Sequence, residues 1–181
     1  HGQLGLSFSP IVAFGANAAK PHALPSAKTL EKGTLVLLDA GVTYERYCSD
    51  RTRTSYFDGA FHFEKEQRFG DALSQKVYDT VLFAQEAAIR AVRVGVKACE
   101  IDKAAREVID KAGFGSFFIH STGHGVGLDI HELPVIGTRS QTIIEENMVF
   151  TIEPGIYLPE QLGVRIEDTI IVRSDGAEVI G

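Results

Sequence analysis

LVLLDAGVTYERYCSDRTRT, residues 35–54 of this 181-residue chain, has the pattern of a β-hairpin that carries two aspartates. An apolar run ends at Asp39, a glycine and a short polar segment follow, and Asp50 comes eleven residues after Asp39. If the flanks pair as an antiparallel hairpin centred between Tyr44 and Glu45, the two aspartates face each other with β-carbons roughly 5 Å apart. Two carboxylates at that distance repel unless a cation lies between them, so the pattern predicts a metal ion with further ligands downstream.

The composition is that of a globular domain with a substantial core. Hydrophobic residues make up 44% of the chain and charged residues 23%, which are ordinary values. The net charge of −6 argues against nucleic acid or an anionic membrane surface as a partner, and no apolar run approaches the roughly 20 residues of a membrane span. Two cysteines without C-x-x-C spacing and the lack of a basic leader segment predict a cytoplasmic protein.

The segments around the hairpin predict a mixture of strands and helices. A short buried strand is expected at residues 9–15, followed by a loop with two prolines. Apolar residues at helical spacing predict a long amphipathic helix at about residues 65–94, interrupted near Gly70 and ended by Gly95. A second helix is predicted at about residues 100–112, where the glycine that follows supplies a C-terminal stop.

Two strands near the C-terminus repeat the pattern of the hairpin. MVFTIEPGIYL (residues 148–158) again has an apolar run, an acid, a glycine and a tyrosine, and GVRIEDTIIV (163–172) carries a second acid. Glu153 and Glu167 are symmetric about Glu160 in the connecting turn, so they too are expected to face each other. The chain is therefore predicted to contain two related hairpins, each with two facing carboxylates, and helices packed outside them.

Four carboxylates and the imidazoles of HSTGHGVGLDIH (residues 120–131) form a ligand set dominated by hard oxygen. Such a set suits Mn²⁺, Co²⁺ or Zn²⁺. Many acids with few nitrogens indicate two ions that share bridging carboxylates, an arrangement typical of metal-assisted hydrolysis. Each acid alone has an ordinary explanation, since Asp before Gly is common in turns, and only the joint arrangement favours a site. Cys48, near Asp50, is expected to be a packed thiol rather than a ligand.

These motifs resemble the catalytic domain of the pita-bread metallopeptidases. The resemblance rests on LDAGVTYERYCSDRTRT, HSTGHGVGLDIHE, TIEPGIY and GVRIEDTIIV, and it runs through nearly the whole chain. Within the family, the match is to the Xaa-Pro aminopeptidase and Xaa-Pro dipeptidase (prolidase) branch. It implies an α+β fold with two pseudo-symmetric halves in a curved antiparallel sheet and helices on the outer face. It also implies that residues 1–181 are a catalytic domain without the leading helices and N-terminal domain common in the family.

The resemblance assigns roles to nine side chains. Five would be metal ligands: Asp39, Asp50, His124, Glu153 and Glu167. Asp50 and Glu167 would bridge two ions, and Glu153 would also accept and return the proton of the nucleophilic water. Three histidines would contact the substrate: His22, His120 and His131. Of these, His22 and His131 would also take part in catalysis, and Arg165 would steady a ligand carboxylate.

The activity implied by the resemblance is removal of an N-terminal residue that precedes proline. The cofactors would be two divalent ions, Mn²⁺ first and Co²⁺ or Zn²⁺ as alternatives, and the protein would be a homodimer. Methionine aminopeptidases share the two aspartates, but RTRT after Asp50 and RIED around Glu167 favour the proline-directed branch. A non-catalytic peptide-binding module of the same fold and a purely structural metal site are further alternatives. The sequence does not choose between dipeptides and longer peptides.

Overall fold

Antiparallel sheets and two helices make up the fold of the computed structural model, which describes residues 4–180. The helices are α1 (Ala72–Ala91) and α2 (Ala98–Lys111), and short 3₁₀ segments occur at Gly15–Ala19 and Gly115–Phe117. The strands are β1 (Gly5–Leu6), β2 (Ile11–Phe14), β3 (Thr34–Ala40), β4 (Val42–Tyr44), β5 (Tyr47–Cys48), β6 (Arg51–Phe57), β7 (Gly123–Gly125), β8 (Glu132–Ile136), β9 (Val149–Ile152), β10 (Gly155–Leu158), β11 (Leu162–Arg165), β12 (Asp168–Arg173) and β13 (Gly176–Val179). The sheets have the orders β1-β4-β5, β2-β3-β6, β10-β11 and β13-β12-β9-β7-β8.

The first predicted hairpin forms, but its predicted register is wrong. Asp39 pairs with Thr52, two residues beyond the expected partner. The turn explains the shift, because Glu45 and Arg46 both have positive φ, 48° and 75°, and form a two-residue turn centred between them. This centre lies one residue later than the sequence suggested. Asp39 and Asp50 are therefore diagonal neighbours on one face of the hairpin and are not directly opposed.

The second hairpin has the predicted register. The pairs that flank its two glutamates are Ile152 with Asp168 and Gly155 with Arg165. Glu153 and Glu167 therefore stand opposite each other. Each predicted long strand is nevertheless split at its glutamate, because the backbone N–H of Glu153 donates to the Thr122 carbonyl and that of Glu167 to the Thr52 carbonyl. At these two breaks in the strand pairing, backbone hydrogen bonds link the second hairpin to Thr122 and to Thr52 of β6.

The second arms of the two hairpins lie side by side. The Thr54 hydroxyl donates to the Arg165 carbonyl oxygen at 2.9 Å, and the Thr169 hydroxyl donates to the Asp50 carbonyl oxygen at 3.1 Å. Threonine hydroxyls of β6 and β12 thus join the two hairpins, which are distant in sequence. As a consequence, the acid-bearing ends of both hairpins meet at one place.

Helix α1 is shorter than predicted at both ends. Its N-cap is Asp71, whose side chain accepts a hydrogen bond from the Ser74 backbone N–H at 2.8 Å. The residues before this cap make tertiary contacts instead, including an ion pair of Lys65 with Asp168. At the C-terminal end, Val92 turns to an extended conformation, so α1 stops before Gly95.

Helix α2 forms close to its predicted limits, and Gly113 follows it with φ of 89°, as expected for a C-terminal stop. Helix α1 packs on the strands of the second hairpin, and α2 packs on α1 and β8. Both helices contribute to one core, whose largest fully buried residues include Tyr78, Ile101, Ile109 and Phe150. Neither helix, within the part of the chain that the structure describes, is both long and apolar enough to cross a membrane.

The strand expected at residues 9–15 is only partly buried, since Val12 of β2 is exposed.

We expect Gly41→Ala to lower the free energy of unfolding by about 2 kcal/mol or more. A β-carbon at this position would lie 1.9 Å from the Ser49 carbonyl oxygen, so the backbone of the hairpin would have to shift. Gly5→Ala is the matched control, because a β-carbon there has nothing within 4 Å. Urea unfolding of both variants measures the difference, and equal stabilities would contradict the close approach at Gly41.

Candidate active site

A cavity of about 460 Å³ lies where the two hairpins meet. All nine side chains singled out in the sequence line it: His22, Asp39, Asp50, His120, His124, His131, Glu153, Arg165 and Glu167. Part of the remaining wall is apolar and includes Ile11, Ile130 and Val135. The fold thus gathers residues from separate parts of the chain around one cavity, while their chemical roles stay predictions.

Three of the predicted ligands converge most closely. Asp50, His124 and Glu167 each offer a ligand atom within 4.8 Å of the other two. His124 Nδ1 donates to the Gly125 carbonyl oxygen at 3.0 Å, which leaves Nε2 facing the carboxylates. Nε2 lies 3.6 Å from Asp50 Oδ2 and 3.2 Å from Glu153 Oε1. An imidazole nitrogen and two carboxylates placed this close together could bind one cation between them.

Two carboxylates of the cavity each have one oxygen bound and one without a partner. Asp39 Oδ2 accepts from Arg165, and Glu167 Oε2 accepts from the Thr52 hydroxyl at 2.6 Å. Asp39 Oδ1 and Glu167 Oε1 are buried and have no hydrogen-bond partner. Buried carboxylate oxygens are costly when unpaired, and a divalent cation is the group that would satisfy them. The residues present therefore fit a metal centre.

The surroundings of Asp50 and Glu167 make ionisation of these two carboxylates unfavourable. Burial, together with the charges of Asp39 and Glu153, raises the pKa of Asp50 to about 7. Burial and the charges of Glu153, Asp50 and Asp39 raise the pKa of Glu167 well above its usual range. Burial opposes protonation of His124, but the hydrogen bond and charge of Glu153 outweigh it and raise the His124 pKa. Proton binding at Asp50 and Glu167 therefore offsets part of the negative charge of the cluster.

Arg165 connects three parts of the site. Its Nη2 forms the ion pair with Asp39, and its Nε donates to the Thr52 hydroxyl at 3.1 Å. Thr52 in turn donates to Glu167, so one guanidinium orients a carboxylate of each hairpin. The sequence predicted the contact of Arg165 with a ligand but missed Thr52. The alternating threonines of RTRT were a signal for it, because they share a face with Asp50.

Tyr157 is a second residue that the sequence analysis did not single out. Its hydroxyl accepts from Arg165 Nη1 at 2.8 Å and lies 2.9 Å from His120 Nε2. Since His120 Nδ1 lies 2.8 Å from the Ser121 carbonyl oxygen, to which it must donate, Tyr157 donates its proton to Nε2. Burial lowers the pKa of His120 and raises that of Tyr157 to about 12, so both remain neutral near pH 7.

Two predicted substrate-contacting histidines, His22 and His131, are exposed at the cavity. The His131 ring lies edge-on to that of His124, with centroids 4.3 Å apart. Partial burial and the neighbouring His124 lower the pKa of His131. Cys48 is half-buried, and its Sγ lies 3.8 Å from the Leu128 carbonyl oxygen. It is not among the described residues that line the cavity, which agrees with a packed thiol.

We expect Mn²⁺ to raise the melting temperature more at pH 8 than at pH 5. With the pKa of Asp50 raised from 3.8 to about 7, the folded chain holds a proton that the unfolded chain has lost, so metal-free stability falls as the pH rises through that range. Protons also compete with metal for the same atoms. Thermal unfolding with and without Mn²⁺ measures both effects, and a smaller gain at pH 8 would contradict this electrostatic description.

Asp50→Asn should stabilise the metal-free protein at pH 8, by roughly 1–3 kcal/mol, and abolish most of the gain from Mn²⁺. The amide keeps the size of the side chain but removes one of the charges that repel each other in the cluster. Asp175→Asn, at an exposed turn, is the control and should change neither quantity. Denaturant unfolding of the two variants tests this, and loss of folding in Asp50→Asn would instead indicate a structural role for the centre.

Comparisons with known proteins agree with the geometry. The profile of "Metallopeptidase family M24" matches residues 1–174. An Xaa-Pro dipeptidase of Pyrococcus furiosus is 44% identical over 172 residues, which cover 95% of this chain and 47% of the relative. The crystal structure of a dipeptidase from Pyrococcus horikoshii OT3 superposes with a TM-score of 0.88 at 48% identity, over 97% of this chain and 46% of that one. For the X-Pro aminopeptidase of Thermotoga maritima MSB8, the TM-score is 0.87 at 40% identity, over 97% and 47%.

The chain spans about half the length of the curated relatives it matches. Its antiparallel sheets and two helices share the architecture of these solved structures, so the expected α+β pita-bread fold is confirmed. The resemblance inferred from the four motifs is confirmed as well, because the match covers almost all of the chain. This chain belongs to metallopeptidase family M24.

Proposed function

We propose that the chain is the catalytic domain of a metal-dependent exopeptidase that cleaves the bond between an N-terminal residue and a following proline. The observation that carries the proposal is the pair of buried, unpartnered oxygens on Asp39 and Glu167, on two carboxylates that line one cavity. The names of the relatives, Xaa-Pro dipeptidase and X-Pro aminopeptidase, support the choice of substrate. The two names differ in the length of peptide, and the proposal covers both.

The cofactors proposed are two divalent cations held by five side chains: Asp39, Asp50, His124, Glu153 and Glu167. A set of four carboxylates and one imidazole suits Mn²⁺, with Co²⁺ and Zn²⁺ as alternatives. When bound, such ions activate water and polarise the carbonyl of the scissile bond. Arg165 and Thr52 bind one oxygen each of Asp39 and Glu167, and the other oxygen of each carboxylate would be available to hold a cation.

Glu153 is the proposed proton acceptor. Its Oε1 accepts from the Thr151 hydroxyl at 3.1 Å and lies 3.2 Å from His124 Nε2, so the carboxylate is fixed beside a predicted ligand. From there it would take a proton from the attacking water and return it to the proline nitrogen that leaves. His131, beside His124, would donate a hydrogen bond to the oxyanion of the tetrahedral intermediate.

The cavity suits a short peptide with a compact apolar residue. A volume of about 460 Å³ accommodates two residues, and the wall formed by Ile11, Ile130 and Val135 suits a pyrrolidine ring. The exposed His22 would contact the amide of the substrate, and the more buried His120 would line the inner wall. A homodimer and a cytoplasmic location complete the proposal, the first supported by resemblance and the second by the cysteine usage.

An assay with Mn²⁺ tests the reaction. We expect hydrolysis of Xaa-Pro or Xaa-Pro-Yaa peptides, loss of activity on chelation, and a decrease of kcat by about 10² to 10⁴ in Glu153→Gln. Glu146→Gln, at an exposed glutamate, is the control and should retain activity. Hydrolysis of Met-peptides alone would show that the branch assignment is wrong. No hydrolysis, together with less than one equivalent of bound metal, would favour a non-catalytic peptide-binding module.

A further inference from the structure

Helix α2 carries a buried ion pair that the reaction proposed above does not use. Asp102 and Arg106 lie one turn apart, and the guanidinium donates to both carboxylate oxygens, at 2.7 and 2.9 Å. The Asp102 side chain is 1% exposed and that of Arg106 23%. Burying such a pair carries a large desolvation cost, and well-packed apolar residues would join α2 to the core at least as well. We therefore expect Asp102 and Arg106 to have a role other than packing α2 on the core.

The same two side chains bind the backbone of residues 118–122. Arg106 donates to the carbonyl oxygens of Phe118 and His120, at 3.0 and 2.8 Å, and its guanidinium lies 4.1 Å from the centroid of the Phe118 ring. Asp102 Oδ1 accepts from both the backbone N–H and the hydroxyl of Thr122, at 3.2 and 2.9 Å. Three alternate residues of an irregular segment are thus fixed by one ion pair.

This segment leads directly into the site. His120 lines the cavity, and His124 follows Thr122 by two residues, on β7. The Thr122 carbonyl oxygen accepts from the Glu153 backbone N–H at 2.7 Å, which extends the connection to the second hairpin. Asp102 and Arg106 do not themselves line the cavity. Their effect on the site must therefore pass through the backbone that they hold.

We propose that Asp102 and Arg106 are positioning residues that set His120 and His124 in place from behind the cavity. The guanidinium fork is suited to this, because it reaches the carboxylate and two carbonyl oxygens at once. The inference rests on the proposed function, in which His124 is a metal ligand and His120 lines the substrate cavity. Loss of the hydrogen bonds from Arg106 and Asp102 to this segment would displace the imidazoles of His120 and His124. No group that contacts metal or substrate in the proposed reaction would be removed.

The variant that tests this is Arg106→Lys, which keeps the charge beside Asp102 but cannot span all three acceptors. We expect the Mn²⁺ affinity to fall about tenfold and the side-chain NMR signals of His120 and His124 to shift in the metal-free protein. Lys103→Ala breaks an exposed ion pair of the same i, i+4 spacing on the same helix, with Glu107. Ile109→Val destabilises the same helix at a fully buried position. Both controls should leave metal affinity and histidine signals unchanged.

The outcomes separate the inference from the proposed function. If the wild-type protein binds Mn²⁺ and Arg106→Lys binds it equally well, with unchanged histidine signals, the positioning role is wrong while the proposed function stands. A wild-type protein that binds no metal overturns both. If Arg106→Lys does not fold, Thr122→Val, which removes only the hydroxyl contact with Asp102, is measured in its place. Its metal affinity should fall at least twofold, and an affinity equal to that of the wild-type protein would overturn the inference.

Discussion

Mutual repulsion among four carboxylates in one cavity governs the electrostatics of this structure. Asp39, Asp50 and Glu167 are less than a tenth exposed, and with Glu153 they line the same cavity around a single guanidinium, that of Arg165. Burial, and after it the charges of the neighbouring carboxylates, raise the pKa values of Asp50 and Glu167, so without cations the cluster lowers the stability of the fold at neutral pH. Binding of cations at the centre would remove this repulsion and restore the stability of the fold.

The surrounding fold holds the carboxylates together against this repulsion. On the far side of Glu167, Arg53 donates to the Glu167 carbonyl oxygen and pairs with Asp168, and Asp168 also accepts from Gln85 of α1 at 2.9 Å. Behind His120, the buried pair on α2 fixes another part of the site. The two helices therefore do more than cover a sheet, since each sends a polar side chain to backbone or carboxylate groups next to the predicted ligands.

Much of the site could be predicted from the sequence, because its residues occur in a repeated local pattern. The register of the second hairpin followed from the symmetry of Glu153 and Glu167 about a short turn, and the structure agrees. The register of the first hairpin was not predicted, because the sequence does not show that Glu45 and Arg46 would both adopt positive φ. Symmetry about a turn fixes a register only when the turn type is known.

Apart from the contact of Arg165 with a ligand carboxylate, the long-range polar contacts of the site were not predicted from the sequence. Tyr157 and Thr52 meet Arg165 only after two hairpins have packed side by side. The start of α1 was missed for a related reason: the residues before Asp71 have a helical pattern, but tertiary contacts such as that of Lys65 with Asp168 hold them in another conformation. Local pattern therefore predicted which residues matter, whereas the hydrogen bonds that orient them required the tertiary structure.

Anomalous diffraction from crystals grown with Mn²⁺, recorded at the manganese edge, tests directly whether the cavity binds two metal ions. We expect two anomalous peaks in the cavity, each in contact with side chains of the proposed ligand set: Asp39, Asp50, His124, Glu153 and Glu167. Crystals that contain Mn²⁺ but show no peak in contact with these five side chains would contradict this expectation.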